Sequence, residues 1–429
     1  MRYAEGKASR PEGIRIESMP LQNCHPLKFW ENYSAFANSG GGSIRVYNAG
    51  GFDSDIEEFT AKVREGLFDR FVVSSNILME SDIKKTTDGI SVNVPSADRR
   101  LRPVFVGDSK ETGTFVRSEG RTVKCNIDNI RSMIRDSKDS SCDSAPVISD
   151  ISILNMESVR TFRASVKSKG HIWDSRTDDE FLSLTSAAAD VEGWLRPTHA
   201  GILLFSDYYT ASTIFPGYRL KYKDEKILID SEDGSWTGNI IDFISKVSEI
   251  IDYRFPDIRC PANELIINAL AHSDYNFGEG ISVECSEENI VISNAGLFRA
   301  GQELSINGTK DRRNPAIAKM LGMISPCRGL GSAITSINMA GYEVSIDENH
   351  LSGTVTISVK RAGFLRTERS PVAERILKEI FSDVSVTVGD LSEKMGLSRR
   401  QIERHISDLK SDGSLMRVGS RRAGSWKVR

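Results

Sequence analysis

The sequence predicts an α+β chain built from several domains, and three observations carry that expectation. Glu264, Asn268 and His272 recur at helical spacing inside an otherwise apolar run. Residues 281–284 and 289–293 then alternate as the two strands of a hairpin would. From Ala373 onward the chain becomes a series of short amphipathic helices that ends in a basic hairpin. At 429 residues there is ample length for more than one buried core.

Taken in order, the N-terminal part shows Phe29, Tyr33, Phe36 and Ala37 at helical spacing, and Gly40, Gly41 and Gly42 supply the freedom for a turn into a strand. Glu12 and Glu17 sit close together ahead of it. Arg117 to Thr122 resembles the late arginine-rich hairpin of the Schlafen-type AlbA_2 family, which implies contact with a phosphate backbone, or equally reads as a plain turn at Gly120. The polar stretch 137–144 reads as a linker before Pro146. Beyond it the pattern predicts a helical stretch, a strand at Leu203-Leu204-Phe205, and strands near 218–222 and 226–229. His199 and Trp173, each isolated, read as structural.

The helix over 261–275 places carboxylate, amide and imidazole on one stripe, while Leu265, Ile266, Ile267 and Leu270 fill the other sides. A buried carboxylate needs a partner. Either the stripe is satisfied by neighbouring backbone, or it faces something polar. Asn294-Ala295-Gly296 breaks the second strand, Gly329-Leu330-Gly331 opens an apolar periodic segment to Met339, and a further strand begins at Gly353-Thr354.

That order resembles the GHKL (Bergerat) ATPase family, in which a Glu-x-x-x-Asn helix, an Asx-x-Gly turn, a Gly-x-Gly loop and a Gly-Thr strand surround one Mg-ATP. The resemblance implies an α/β sandwich over 150–365, with Glu264 orienting or deprotonating the attacking water and Asn268 holding Mg. It also implies that Asn294, Gly296, Gly329, Gly331 and Thr354 line the ATP site. Asn294 stands where the superfamily has an Asp for the adenine amino group, and Ala271 replaces a basic residue. Lys310, Arg312 and Arg313 are candidates to supply the missing positive charge, or form a solvated charged loop.

A narrower resemblance is to the RecG-like transcriptional-regulator family, carried by Thr198 to Phe205, the NALAHSDY run from Asn268 to Tyr275, and Arg313-Asn314-Pro315. Its members join a Schlafen-type AlbA_2 domain, here 1–140, to a divergent GHKL domain (HATPase_c_4), often followed by a winged helix. The run from Ser34 to Gly42 is similar to the AlbA_2 signature, although Glu17-Ser18-Met19 lacks that family's lysine. The absence of a Gly-x4-Gly-Lys-Ser/Thr phosphate loop argues against a motor helicase.

The C-terminal module, 371–429, looks like a winged helix-turn-helix. Its third helix begins after Ser398, buries Ile402, Ile406 and Leu409, and leaves Arg399, Arg400, Gln401 and Arg404 outward for DNA. Arg421, Arg422 and Lys427 would bring the wing to phosphate. From Lys394 to the end there are ten Lys or Arg against three Asp or Glu, an excess of seven in a chain of net charge −3. Winged helices also serve as protein-binding modules, which is the competing reading.

Six scattered cysteines form no C-x-x-C pair, so neither zinc nor a disulfide framework is expected. No run is apolar enough to span a membrane, and no signal-peptide core follows Met1, so a cytoplasmic protein is expected. The combined expectation is an ATP- and DNA-binding transcriptional regulator, a homodimer, with ATP and Mg as cofactors and at most weak ATPase activity. The alternatives are a Schlafen-like metal-dependent nuclease using Glu17, a histidine-kinase-like enzyme for which His171 lacks the context, and a nucleotide-free DNA-binding scaffold.

Overall fold

Pro26 at the first helical position, with the His25 side chain accepting from the Leu27 N–H, starts helix α1 (Pro26–Ser39). The helix buries Phe29, Trp30, Tyr33, Phe36 and Ala37 on one face and stops at Gly40, whose φ of 102° is a left-handed cap. It covers a four-stranded sheet of β1 (Ile16–Pro20), β2 (Gly42–Tyr47), β3 (Ile83–Lys85) and β4 (Gly89–Val94) in the order β1-β2-β4-β3. β1 and β2 run parallel and the other pairs antiparallel. The computed structural model describes residues 16–23, 25–48, 53–138, 142–167, 173, 175–299, 311–324, 329–362, 371–382, 386–411, 415–418 and 425–428. The chain divides into two compact units, Met1–Val359 and Lys360–Arg429.

Helix α2 (Asp53–Gly66) adds Ile56, Phe59 and Val63 to the first core. Two buried polar side chains of α1 tie that core to the segment from Val104 to Phe115. The Ser34 hydroxyl donates to the Val104 carbonyl at 2.7 Å and accepts from the Phe115 N–H at 3.0 Å. The Asn38 amide binds both the N–H and the carbonyl of Val104, at 2.9 and 2.8 Å. A short turn of helix α3 (Lys110–Gly113), the hairpin β5 (Phe115–Ser118) and β6 (Arg121–Lys124), and helix α4 (Ile127–Asp136) complete this part.

Helix α5 (Met156–Lys167), helix α6 (Asp178–Leu184) and the hairpin β7 (Ala188–Val191) and β8 (Trp194–Pro197) lead into helix α7 (His199–Phe205), then α8 (Tyr208–Ile214). The expected strand at Leu203-Leu204-Phe205 is thus helix. Thr198 caps it by accepting from the Gly201 N–H at 3.1 Å, and all residues from Ala200 to Phe205 are buried. A short apolar run buried on every side reads alike in either conformation.

The second sheet, of β9 (Leu220–Lys223), β10 (Leu228–Asp230), β11 (Ile281–Cys285), β12 (Asn289–Ala295), β13 (Tyr342–Asn349) and β14 (Thr354–Arg361), has the order β10-β9-β11-β12-β14-β13. Its alternate residues Leu220, Tyr222, Ile281, Val283, Ile290, Ile292, Val355 and Ile357 share one core with helices α9 (Ile240–Arg254), α10 (Arg259–His272), α11 (Pro315–Ile324) and α12 (Leu330–Met339).

Helix α4 is fastened to this second body. Asn126 and Asn129 donate to the Leu351 carbonyl at 2.8 and 2.9 Å, Asn129 also to the His350 carbonyl, and Asp136 pairs with Arg313 at 2.6 Å. One residue of the stretch read as a linker belongs to the packing too. Asp143 is buried and accepts from the Ala316 and Ile317 N–H groups at 2.8 and 3.0 Å, capping α11.

The C-terminal unit has its own core. Helices α13 (Pro371–Ser382), α14 (Val388–Met395) and α15 (Arg399–Ser411) and the antiparallel β15 (Leu415–Val418) and β16 (Ser425–Val428) gather Ile376, Ile380, Leu391, Ile402, Ile406 and Trp426. Thr387 and Asp390 form a reciprocal capping box at the start of α14, and the Trp426 indole N–H donates to the Val386 carbonyl at 2.8 Å. Among the described residues no helix is long and apolar enough to cross a membrane.

Candidate functional site

A cleft of about 590 Å³, partly open to solvent, lies where α10, the end of β12, the start of α12 and β14 meet. Asn268 and His272 line it from α10, one turn apart, and Asn294 and Gly296 from the broken end of β12. Gly329 and Leu330 close another side, and Leu297, Phe298, Val355 and Ile357 make the wall largely apolar. Gly331 and Thr354 are not on its wall. Gly331 lies inside α12, and the strand's alternation turns Val355 and Ile357 to the cleft while the Thr354 hydroxyl pairs with that of Ser352 at 2.7 Å.

Glu264 is 6 % exposed and its Oε1 accepts the Gly329 N–H at 2.6 Å, so the carboxylate fastens the glycine that opens α12. Gly329 has a φ of 108°, which a β-carbon would strain. Asn268 donates its amide to the Glu264 carbonyl at 2.8 Å, an orientation that leaves Oδ1 as the atom to offer a ligand. Asn294 does likewise, donating to the Ala295 carbonyl at 3.1 Å.

The two arginines behave differently. Arg312 lines the cleft, whereas Arg313 is buried behind it, donating to Asp136, to the Leu297 carbonyl at 2.9 Å and to the His272 carbonyl. The Arg313 guanidinium lies where a β-carbon on Gly296 would be. Arg313 is therefore a pin for the turn after β12 and not a ligand of the cleft. Lys310 lies outside the described residues. Burial, then the charges of Arg313, Arg312 and Arg299, push the His272 imidazole down to about 4, so it is neutral at pH 7.

In the first body Glu17 is held by Arg117 at 3.1 Å, and that guanidinium stacks 4.7 Å from the Phe36 ring centre. Arg117, offered by the sequence as a phosphate contact, is 7 % exposed and serves this packing. Glu12 lies outside the described residues, among which no group of three acidic, histidine or cysteine side chains is placed to hold a metal.

On α15, Arg399, Arg400, Gln401 and Arg404 are exposed and Ile402, Ile406 and Leu409 are buried. Gln401 Oε1 accepts from the Ser398 N–H and hydroxyl at 3.1 and 2.8 Å, so in the free chain this side chain caps the helix. Residues 369–413 match the family described as winged helix-turn-helix DNA-binding. The C-terminal unit is a winged helix-turn-helix. DNA is the partner to which such a module points. In this winged helix Lys427 lies on β16 opposite Met416, while Arg421 and Arg422 lie outside the described residues.

Residues 131–221 match a family described as a domain of unknown function (DUF8451), which runs here from α4 through β9. No curated protein matches the chain. A solved structure, the DIP2311 protein from Corynebacterium diphtheriae, is 13% identical, with 100% of this chain and 82% of that chain covered at a TM-score of 0.41.

The sequence reading brought Asn268, Asn294, Gly296 and Gly329 to one place but missed Leu297, Phe298, Val355 and Ile357, which complete the wall. The signal for the last two was available in the alternation around Thr354; Leu297 and Phe298 lie in an irregular segment after β12 and carried none.

Proposed function

We propose that the chain is a DNA-binding transcriptional regulator whose cleft binds Mg-ATP in the GHKL manner. One observation carries the reading: four residues from three separate segments, Asn268, Asn294, Gly296 and Gly329, converge on one cleft, and Glu264 bonds the loop glycine directly. Asn294 Oδ1 is the acceptor for an adenine amino group between the apolar side chains of Leu297, Phe298 and Val355. Arg312 and the N-terminal end of α12 supply positive potential for phosphates. The donor set fits a cation that arrives with the nucleotide: one protein oxygen, Asn268 Oδ1, beside phosphate and water oxygens.

Glu264 is first a positioning residue for the loop, and ATP turnover measured in Glu264→Gln tests whether it also acts on water. The winged helix, as a homodimer, reads two half-sites, with nucleotide state setting DNA affinity. Calorimetric titration of Mg-ATP into wild type and Asn268→Ala tests the cleft. Binding that the substitution weakens about tenfold, roughly 1.4 kcal/mol, supports it. No heat and no thermal protection by Mg-ATP leaves a DNA-binding scaffold.

A further inference from the structure

A second cavity, about 690 Å³ when the solvent at its open mouth is included, lies on the other side of the chain segments that wall the cleft, and the two share no lining residue. Adjacent residues face opposite ways. His272 and Arg312 line the cleft, while Ser273 and Arg313 line the second cavity. Its polar wall holds three guanidiniums, those of Arg135, Arg299 and Arg313. Its carboxylates are each engaged through at least one oxygen, although Asp143 Oδ1 makes no hydrogen bond. Asp136 takes Arg313 at 2.6 and 3.0 Å, Asp274 takes Arg135 at 2.6 Å and the Ser132 hydroxyl at 2.7 Å, and Asp143 caps α11.

Three of the four buried side-chain atoms on this wall that make no hydrogen bond are donors, the fourth being Asp143 Oδ1. The Ser273 hydroxyl, in a residue of 0% exposure, makes no hydrogen bond, nor do Arg135 Nε and Arg299 Nε. Arg299 Nε lies 3.6 Å from Asp136, beyond hydrogen-bond range. Buried donors of this kind normally find acceptors, so their grouping on one cavity points to an acceptor-rich occupant. The remaining wall sets Leu203, Phe215 and Tyr275 beside His199, Asn276 and Asn314, and its apolar and aromatic part suits an organic body rather than a bare ion. Arg135, with its side chain 30% exposed, places its charge where the cavity meets solvent.

We propose that this cavity is a second ligand site, for a small organic acid whose carboxylate meets Arg135 and Ser273 and whose flat apolar part lies against Leu203, Phe215 and Tyr275. The site stands independently of the nucleotide reading, since it uses none of the cleft's residues.

The test is titration of the full chain with benzoate and, separately, with uncharged benzamide, followed by calorimetry and by amide chemical shifts. Benzoate binding at about 1 mM or tighter, with benzamide at least tenfold weaker, is expected. Arg135→Gln should weaken benzoate about tenfold. Ser273→Ala, which removes a hydroxyl without a partner and so disturbs folding little, should weaken it about threefold. Saturation with Mg-ATP should leave the benzoate isotherm in place. Absence of benzoate binding, equal binding of benzamide, insensitivity to both substitutions, or displacement by Mg-ATP would each overturn the proposal, whereas failure of Mg-ATP to bind at all would leave it standing.

Discussion

Glu264 holds a single backbone N–H inside a mostly apolar setting, and the kind of atom offered to Gly329 decides what a substitution does. Glu264→Gln keeps an acceptor and should cost less than about 1 kcal/mol, whereas Glu264→Leu strands the Gly329 N–H and should cost about 1–3 kcal/mol in urea unfolding. At His272 and Asp143 the same burial acts with opposite signs. The imidazole is held down to about 4 from 6.5, so the unfolded chain takes up its proton first and stability falls as pH drops from about 6.5 to 4. Burial raises the Asp143 carboxyl from 3.8 to about 6, against the pull of the Ile317 and Ala316 N–H groups, so its contribution to stability grows as pH drops from about 6 to 4. Asp143→Asn removes only the second effect. Melting temperatures between about pH 6 and 4 should therefore fall more steeply in that variant than in wild type, and parallel curves would count against the buried carboxyl.

Helix α15 presents its cations on the side away from Ile402, Ile406 and Leu409, so Arg400 and Arg404 should act through phosphate or base contacts. Arg400→Ala or Arg404→Ala is expected to weaken DNA binding and, for a phosphate contact, to lower the slope of log affinity against log salt by about 1, as fluorescence anisotropy at several salt concentrations would report. Gln401 competes between its cap on Ser398 and a base, and its loss should show as reduced helix stability of about 0.5–1.5 kcal/mol even without DNA. Elements of this kind were legible because their signals are local: Thr387 before α14, Gly396 after it and the three-to-four spacing of Ile402 and Ile406 sit within a few residues of one another. The helix over His199–Phe205 was misread because its apolar run has no polar face to betray a period. The partners of Arg313 were illegible for a different reason. Asp136 lies 177 residues upstream, and a pair at that separation leaves no pattern in either segment.

Across the whole chain, two units with separate cores should unfold as two transitions in scanning calorimetry. Saturating Mg-ATP should raise only the transition belonging to residues 1–359 if the cleft is the nucleotide site, by mass action on its folded form. If nucleotide state governs transcription, the same addition shifts DNA affinity, and superimposable binding curves with and without Mg-ATP would remove that coupling. The docking of α4 on the second body sets a rule for anyone cutting this gene. A fragment starting after residue 138 would encode every cleft residue yet strip Arg313 of Asp136, while Arg299 would keep Asp311, and a buried charge bereft of its partner costs about 3–5 kcal/mol. Such a fragment should be recovered as aggregate when expressed alone. Co-expression with residues 1–138 should return it to the supernatant as a two-piece protein.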